Sequence, residues 1–300
     1  HLSRALGRSF APGDEIIAGS LENPAALVPL MLIAERKGLT LRWADMGNGE
    51  KDSAEAVAAQ ITPRTRMALI SDTCFATGAR VDLRAIADVV HDAGALLIAD
   101  GIQTAGASPI DVEALGVDGY ALARHKFLCG PDGAGALYVN RAVFDRVLPT
   151  YAGVFTDAEH GMSGALALMP TAQRYEVSTR PIPVIMGGTA ALRWLADEVG
   201  WPFVFERMTA LYDRLWRDLG AIPGVRVLSP SGGSGLLTIA VEGMAPADVV
   251  AGLRERNIFT RTIVVTEPQG VRLSIGAWNR ESDLDAIAEA VEALAQEGRG

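Results

Sequence analysis

The run Leu96-Leu97-Ile98-Ala99-Asp100 decides how the rest of the chain reads. Four apolar residues closed by an acid read as a buried strand, with its carboxyl at the C-terminal end, where open α/β sheets place their ligands. Working outward, residues 83 to 93 have helical spacing stopped by Gly94, and Met67-Ala-Leu-Ile-Ser71 reads as the strand before them. Further upstream come a helix over 54 to 61, a strand over Leu39-Thr-Leu-Arg-Trp43, and a helix over 25 to 37 ended by Gly38. Glu15-Ile-Ile-Ala18 is a strand entered from the turn Pro12-Gly-Asp14. Downstream, Gly119-Tyr-Ala-Leu122 and Gly135-Ala-Leu-Tyr-Val139 are two more short strands. Strand and helix alternating with short links predict an α/β fold, a mainly parallel mixed sheet between helices, over roughly the first 145 residues.

Residues 151 to 180 show no clear period and read as loops at the mouth of a site. A long helical pattern then runs from Ile185 through Trp194 toward Leu219. Strands are expected in Gly224-Val-Arg-Val-Leu228, Gly235-Leu-Leu-Thr-Ile-Ala-Val241 and Val271-Arg-Leu-Ser-Ile275, with helices over 247 to 256 and 282 to 296. These predict a large domain over 1–195 and a smaller C-terminal α/β domain over 196–300, packed together without a linker.

A chain of 300 residues that is 49% hydrophobic and 21% charged can bury a large core or two unequal ones. Its net charge of -9 and pI near 5.0, with no stripe of Lys and Arg, argue against nucleic acid and against an anionic membrane surface. No apolar run is long enough for a membrane span and the opening residues lack the layout of a signal peptide, so the cytoplasm is the expected location. Cys74 and Cys129 form no CxxC pair and predict neither disulfide nor zinc; both read as small packed hydrophobes. His1, His91, His125 and His160 have no metal-ligand spacing, and no metal is expected. Of the tryptophans, 43, 194, 201, 216 and 278, most read as core or interface, and Trp278 as a candidate neighbour of Arg272. Ser231-Gly-Gly-Ser-Gly235 lacks a P-loop lysine and precedes a strand, so it is a turn.

The chemistry concentrates around Asp100 and around Ala123-Arg-His-Lys126-Phe-Leu-Cys-Gly-Pro131, with Lys126 twenty-six residues after the acid. A lysine in apolar, Gly-rich surroundings can lose its proton near neutrality and attack a carbonyl as a neutral amine. Taken singly, each of these residues also fits an ordinary structural role, as do Glu22 and Asp118, considered as general acids but read more simply as strand-end and loop carboxylates.

Their order carries more. Ala99-Asp100-Gly-Ile-Gln103, Pro109-Ile-Asp111-Val-Glu-Ala-Leu-Gly116-Val-Asp118, His125-Lys126, and Gly130-Pro-Asp-Gly133-Ala-Gly135-Ala-Leu-Tyr together resemble the class V aminotransferase family of fold-type I enzymes. That family includes cysteine desulfurases, cysteine/cystine C-S lyases, kynureninase and isopenicillin N epimerase, and the likeness runs from Gly13 to Asn279. It implies pyridoxal 5'-phosphate as cofactor and Lys126 as the catalytic residue that forms the Schiff base and later moves the α-proton. It implies cofactor-binding roles for Asp100 at the pyridinium nitrogen, Gln103 at the phenolic oxygen and His125 near the phosphate. Asn23 stands at the family's ring-stacking histidine, and Thr179 is grouped with the cofactor-binding residues. Arg272 is placed to clamp the substrate carboxylate in a fork, with Arg261 as a second arginine at the mouth. A homodimer sharing the 151–179 loops is the family's usual assembly.

The departures are as specific. Asn23 cannot stack as an imidazole does, and Ala123 replaces a serine that holds phosphate in relatives. The family's first phosphate loop lies upstream of His1, so an N-terminal segment is expected beyond this sequence. Thr262-Ile-Val-Val-Thr266, after Arg261, has no cysteine where one group of desulfurases carries its nucleophile. Arg174-Tyr-Glu176-Val-Ser-Thr179 and Phe259-Thr-Arg261-Thr-Ile263 resemble the C-S lyase and epimerase-like branch. The resemblance therefore implies C-S β-elimination from an amino acid, through an external aldimine and α-carbanion, without a catalytic cysteine. Epimerisation or transamination share its first step and stay open, as does a non-catalytic relic of the fold.

Overall fold

The computed structural model describes residues 10–299. Five parallel strands and one antiparallel strand form a sheet in the order β2-β1-β3-β4-β5-β6: β1 (Glu15–Gly19), β2 (Thr40–Ala44), β3 (Thr65–Ser71), β4 (Leu96–Asp100), β5 (Gly119–Ala123) and β6 (Gly135–Val139). All pairings are parallel except β5 with β6, which run antiparallel. β4 is buried along Leu96–Ala99, and only Asp100 at its end is partly open, as a central strand carrying a functional carboxyl requires.

The connecting helices follow local chemistry. α1 (Pro24–Lys37) starts where Asn23 Oδ1 accepts from Ala25 N at 2.9 Å, has proline in its first turn, and stops at Gly38 in the left-handed conformation. α2 (Ser53–Ala58) and α3 (Leu83–Asp92) are each capped by an aspartate, Asp52 and Asp82. One core layer, containing Ile17, Ile70, Leu97 and Ile86, lies on the α2–α3 face of the sheet, and another, containing Ile16, Leu69, Ile98 and Leu30, on the α1 face.

Residues 151–180 contain more order than their lack of period predicts. β7 (Asp157–His160) pairs antiparallel with β8 (Leu166–Leu168), and a 3-10 turn spans Ala172–Tyr175. The hairpin is almost entirely exposed, so burial imposes no alternation of apolar and polar residues on its strands. The expected single helix from Ile185 to Leu219 is two: α4 (Ile182–Arg193) passes into a π-helical turn over Trp194–Val199, and α5 (Trp201–Gly220) starts afresh. Gly200, at φ 85°, turns the chain between them, and Pro202 sits in the first turn of α5, where its missing N–H is harmless.

The remaining chain forms a four-stranded antiparallel sheet in the order β11-β12-β10-β9: β9 (Val225–Val227), β10 (Leu236–Val241), β11 (Arg261–Ile263) and β12 (Gly270–Ser274). α5, α6 (Pro246–Glu255) and α7 (Glu281–Glu297) supply Leu211, Leu253 and Val291 to its core. The two sheets are tied by specific bonds: Thr238 donates to the Ala76 carbonyl, Ser234 N to Gly78 O at 3.0 Å, and the Ser108 and Ser234 hydroxyls lie 3.1 Å apart. Ala76 and Gly78 follow β3, so the smaller sheet is anchored at the C-terminal edge of the larger one.

Candidate active site

The ends of β3, β4 and β5 surround a cavity of about 190 Å³. Ser71 closes β3 and pairs with Asp100 at the end of β4, so both side chains leave the sheet on one face. Asp100 pairs in turn with Ala121 of β5, and the chain beyond β5 delivers His125 and Lys126 to the same space. Gln103, in the turn after β4, and Asn23, at the start of α1, complete the set. Five sequence-derived candidates, Asn23, Asp100, Gln103, His125 and Lys126, thus line one cavity.

Electrostatics single out two of them. Burial pushes the Asp100 carboxyl above the usual carboxylate range, opposed by the Ile102 N–H, which donates to Oδ1 at 2.9 Å, and by Lys126. Burial pulls Lys126 below the ordinary lysine value; Asp100 raises it, while Arg272 and Arg261 lower it further. Lysine and acid therefore feel one another across the cavity, and two guanidinium groups help the amine to shed its proton.

Those guanidiniums come from the second sheet. Arg261 and Arg272 are directly paired between β11 and β12. Arg272 is partly buried, donates from Nη1 to Phe75 O at 2.5 Å, and its Nε is buried without a partner among the described residues. Phe75 lines the cavity, so this fork is held at its rim with a free donor. Arg261 is exposed. His125 is 38% exposed at its side chain, with Nδ1 3.8 Å from Asp132. Thr179 is exposed and lies outside the lining of this cavity.

Four residues at the site escaped the sequence reading or were given a plainer role. Ser71, Thr73 and Phe75 line the cavity from the end of β3, and the rule that ligands sit beyond the C-terminal ends of parallel strands applied to β3 as much as to β4. Glu22, read as a simple strand-end carboxylate, is buried behind Ser71 with burial pushing it up to about 8. Cys74 is buried, as expected; Cys129 is exposed, at φ 56° in the turn after Lys126. Trp43, Trp194 and Trp278 are exposed in the single chain, outside its core. Among the described residues, no cluster of His, Cys, Asp and Glu could hold a metal, and no helix is long and apolar enough to cross a membrane.

The residues present fit a pyridoxal-phosphate site: a partly buried acid and a lysine of lowered pKa face one cavity, and the unpartnered Arg272 Nε is left for an acceptor. Comparison with known proteins agrees. Residues 2–287 match the model of the aminotransferase class-V family. The chain is 30% identical over 294 residues to the cysteine desulfurase CsdA of Escherichia coli, covering 94% of this chain and 71% of that protein. The crystal structure of that enzyme superposes with a TM-score of 0.86 at 27% identity, over 99% of this chain and 76% of the other. The cystine C-S lyase C-DES, solved with its product cysteine persulfide, superposes with a TM-score of 0.86 at 26% identity, over 97% and 79% of the two chains. The chain belongs to the class V aminotransferases, pyridoxal-phosphate enzymes of fold-type I.

Proposed function

We propose that this protein removes sulfur from a cysteine-like amino acid by β-elimination, as a C-S lyase that needs no nucleophilic cysteine. The observation that carries the reading is the placement of its two thiols. Neither Cys74 nor Cys129 lines the cavity of Lys126, and burial pushes both thiols above the ordinary cysteine value, away from the thiolate form that attacks sulfur. Cys74 Sγ also donates to Leu21 O at 3.7 Å and accepts from Ala76 N at 3.3 Å.

When bound, pyridoxal phosphate supplies a carbonyl for an amine and an electron sink for the substrate α-carbon. Lys126 binds it through an amine that burial and two arginines make easier to deprotonate, and that amine then accepts and returns the α-proton. Asp100 holds a proton on the ring nitrogen, where a cation offsets the burial that raises its carboxyl. Arg272 orients the substrate through its carboxylate, using the fork that Phe75 O already fixes. Gln103, 7% exposed, is assigned to the phenolic oxygen, His125 to the phosphate, Asn23 to the ring face, and Thr179 to the cofactor. Arg261 is assigned to the substrate mouth and the assembly to a homodimer.

Products test this. β-Elimination followed by hydrolysis converts cysteine and water to pyruvate, ammonia and sulfide, and cystine and water to pyruvate, ammonia and cysteine persulfide. A desulfurase instead leaves alanine and a persulfide on its own cysteine. With a panel of amino acids that includes cysteine and cystine, we expect pyruvate from the loaded protein, retained in a C74A/C129S double variant. Alanine with a protein-bound persulfide contradicts the reading, and a racemised amino acid without pyruvate moves the protein to the epimerase alternative.

A further inference from the structure

Glu22 sits in the turn between β1 and α1, one residue before Asn23, and is 4% exposed. Both of its oxygens go to a single residue: Oε1 accepts from Ser71 N at 2.7 Å, and Oε2 accepts from the Ser71 hydroxyl. The fold makes room for this carboxyl at Gly19, where a Cβ would lie 2.7 Å from Oε1. No cation offsets its charge among the described residues; the groups acting on it are Ser71 and the Asp100 carboxyl, and Cys74 feels it in turn. Lys126 acts on Asp100 from the other side of the cavity. The arrangement is a chain from Glu22 to the Ser71 hydroxyl to the cavity wall that Ser71 shares with Asp100.

A serine hydroxyl has one proton to donate and two lone pairs to accept with. If Glu22 carries a proton, it can donate to Ser71 and leave the serine proton free to point into the cavity. If Glu22 is ionised, it takes that proton as its own hydrogen bond, and Ser71 offers the cavity only a lone pair. We propose that Glu22 is a positioning residue of this site, setting through Ser71 whether the cavity wall beside Asp100 presents a hydrogen-bond donor or an acceptor to the ring of the bound cofactor. The inference rests on the functional reading above. Two carboxyls in a dry environment avoid carrying two charges, so an ionised Asp100 keeps Glu22 protonated. Burial, then Asp100, push Glu22 up to about 8 against the two bonds from Ser71. The switch therefore lies just above neutrality.

The experiment is a pH titration of the visible absorbance of the pyridoxal-phosphate-loaded protein, for wild type, E22Q and S71A. The amide introduced by E22Q copies protonated glutamate: its carbonyl accepts from Ser71 N and its NH2 group donates to the Ser71 oxygen. Wild type is expected to show a spectral step above the ordinary carboxylate range, since burial of Glu22 is the larger cause of its raised value. E22Q should lose the step and keep the neutral-pH spectrum throughout; S71A, the smaller change should E22Q fold poorly, should lose it as well. A step that persists at the same midpoint in E22Q overturns the proposal and leaves the cofactor assignment standing, since the band is present. A folded wild type with no band at any pH overturns both together. The infrared carboxylic-acid stretch of the unloaded protein at neutral pH, absent in E22Q, reports the Glu22 proton without the cofactor. If wild type and E22Q give the same infrared spectrum, the proposal fails whatever the absorbance shows.

Discussion

Replacing Glu22 by glutamine tests the burial of that carboxyl through stability alone. The folded protein holds the Glu22 proton up to about 8, against an ordinary value of 4.5. Because the folded-state value is raised, the proton's contribution to stability is fully present below 4.5 and is lost as pH rises toward 8. At 1.36 kcal/mol per unit, this loss comes to about 1 kcal/mol at pH 5 and about 3 kcal/mol at pH 7. The E22Q side chain has no proton to surrender and keeps the same bonds to Ser71. Whatever offset the amide introduces is common to both pH values, as is the titration of every other group. E22Q should therefore gain about 2–3 kcal/mol on wild type between pH 5 and pH 7. Denaturant unfolding of the unloaded protein at the two pH values, with m-values checked for equality, reads this directly. Stability curves that stay parallel across the interval, or a wild type that gains on E22Q, refute the burial argument.

Other expectations follow from single contacts. Arg272→Lys removes the fork and the bond to Phe75 O. It should lower kcat/KM for the amino-acid substrate by about 10- to 100-fold, while the spectrum of the bound cofactor is unchanged. Tyr212 is fully buried and donates from its hydroxyl to Pro230 O at 2.7 Å, so Tyr212→Phe leaves that carbonyl unpaired. Its denaturation midpoint should fall by an amount equivalent to about 1–2 kcal/mol, with no change in cofactor binding.

The parts legible in the sequence are those set by local pattern. Leu96–Asp100 and the alternation around it give the sheet because burial on both faces leaves an unbroken apolar run. Gly38 and Gly94, both at positive φ, mark helix ends by capping chemistry that acts within a few residues. The juxtaposition of Asp100, His125 and Lys126 comes from the motif order, since β4 and β5 are neighbours in the sheet. What depends on distant partners was hidden. Glu22 and Ser71 meet only because β1 and β3 are adjacent, 49 residues apart in the chain. Phe75 and Arg272 meet across two sheets, 197 residues apart, where no period connects them. The exposed β7–β8 hairpin lacked the burial that writes a strand into sequence, and the break at Gly200 lay inside an otherwise continuous helical pattern.

The central claim is that Lys126 forms the covalent link to pyridoxal phosphate. Its most direct test is the visible absorbance of purified protein mixed with the cofactor, recorded beside Lys126→Ala and followed by addition of amino acids, cystine among them. The account predicts a band in the wild type that is lost in the variant and shifts when a substrate is added. A folded wild type without a band, or the same unshifted band in Lys126→Ala, contradicts it.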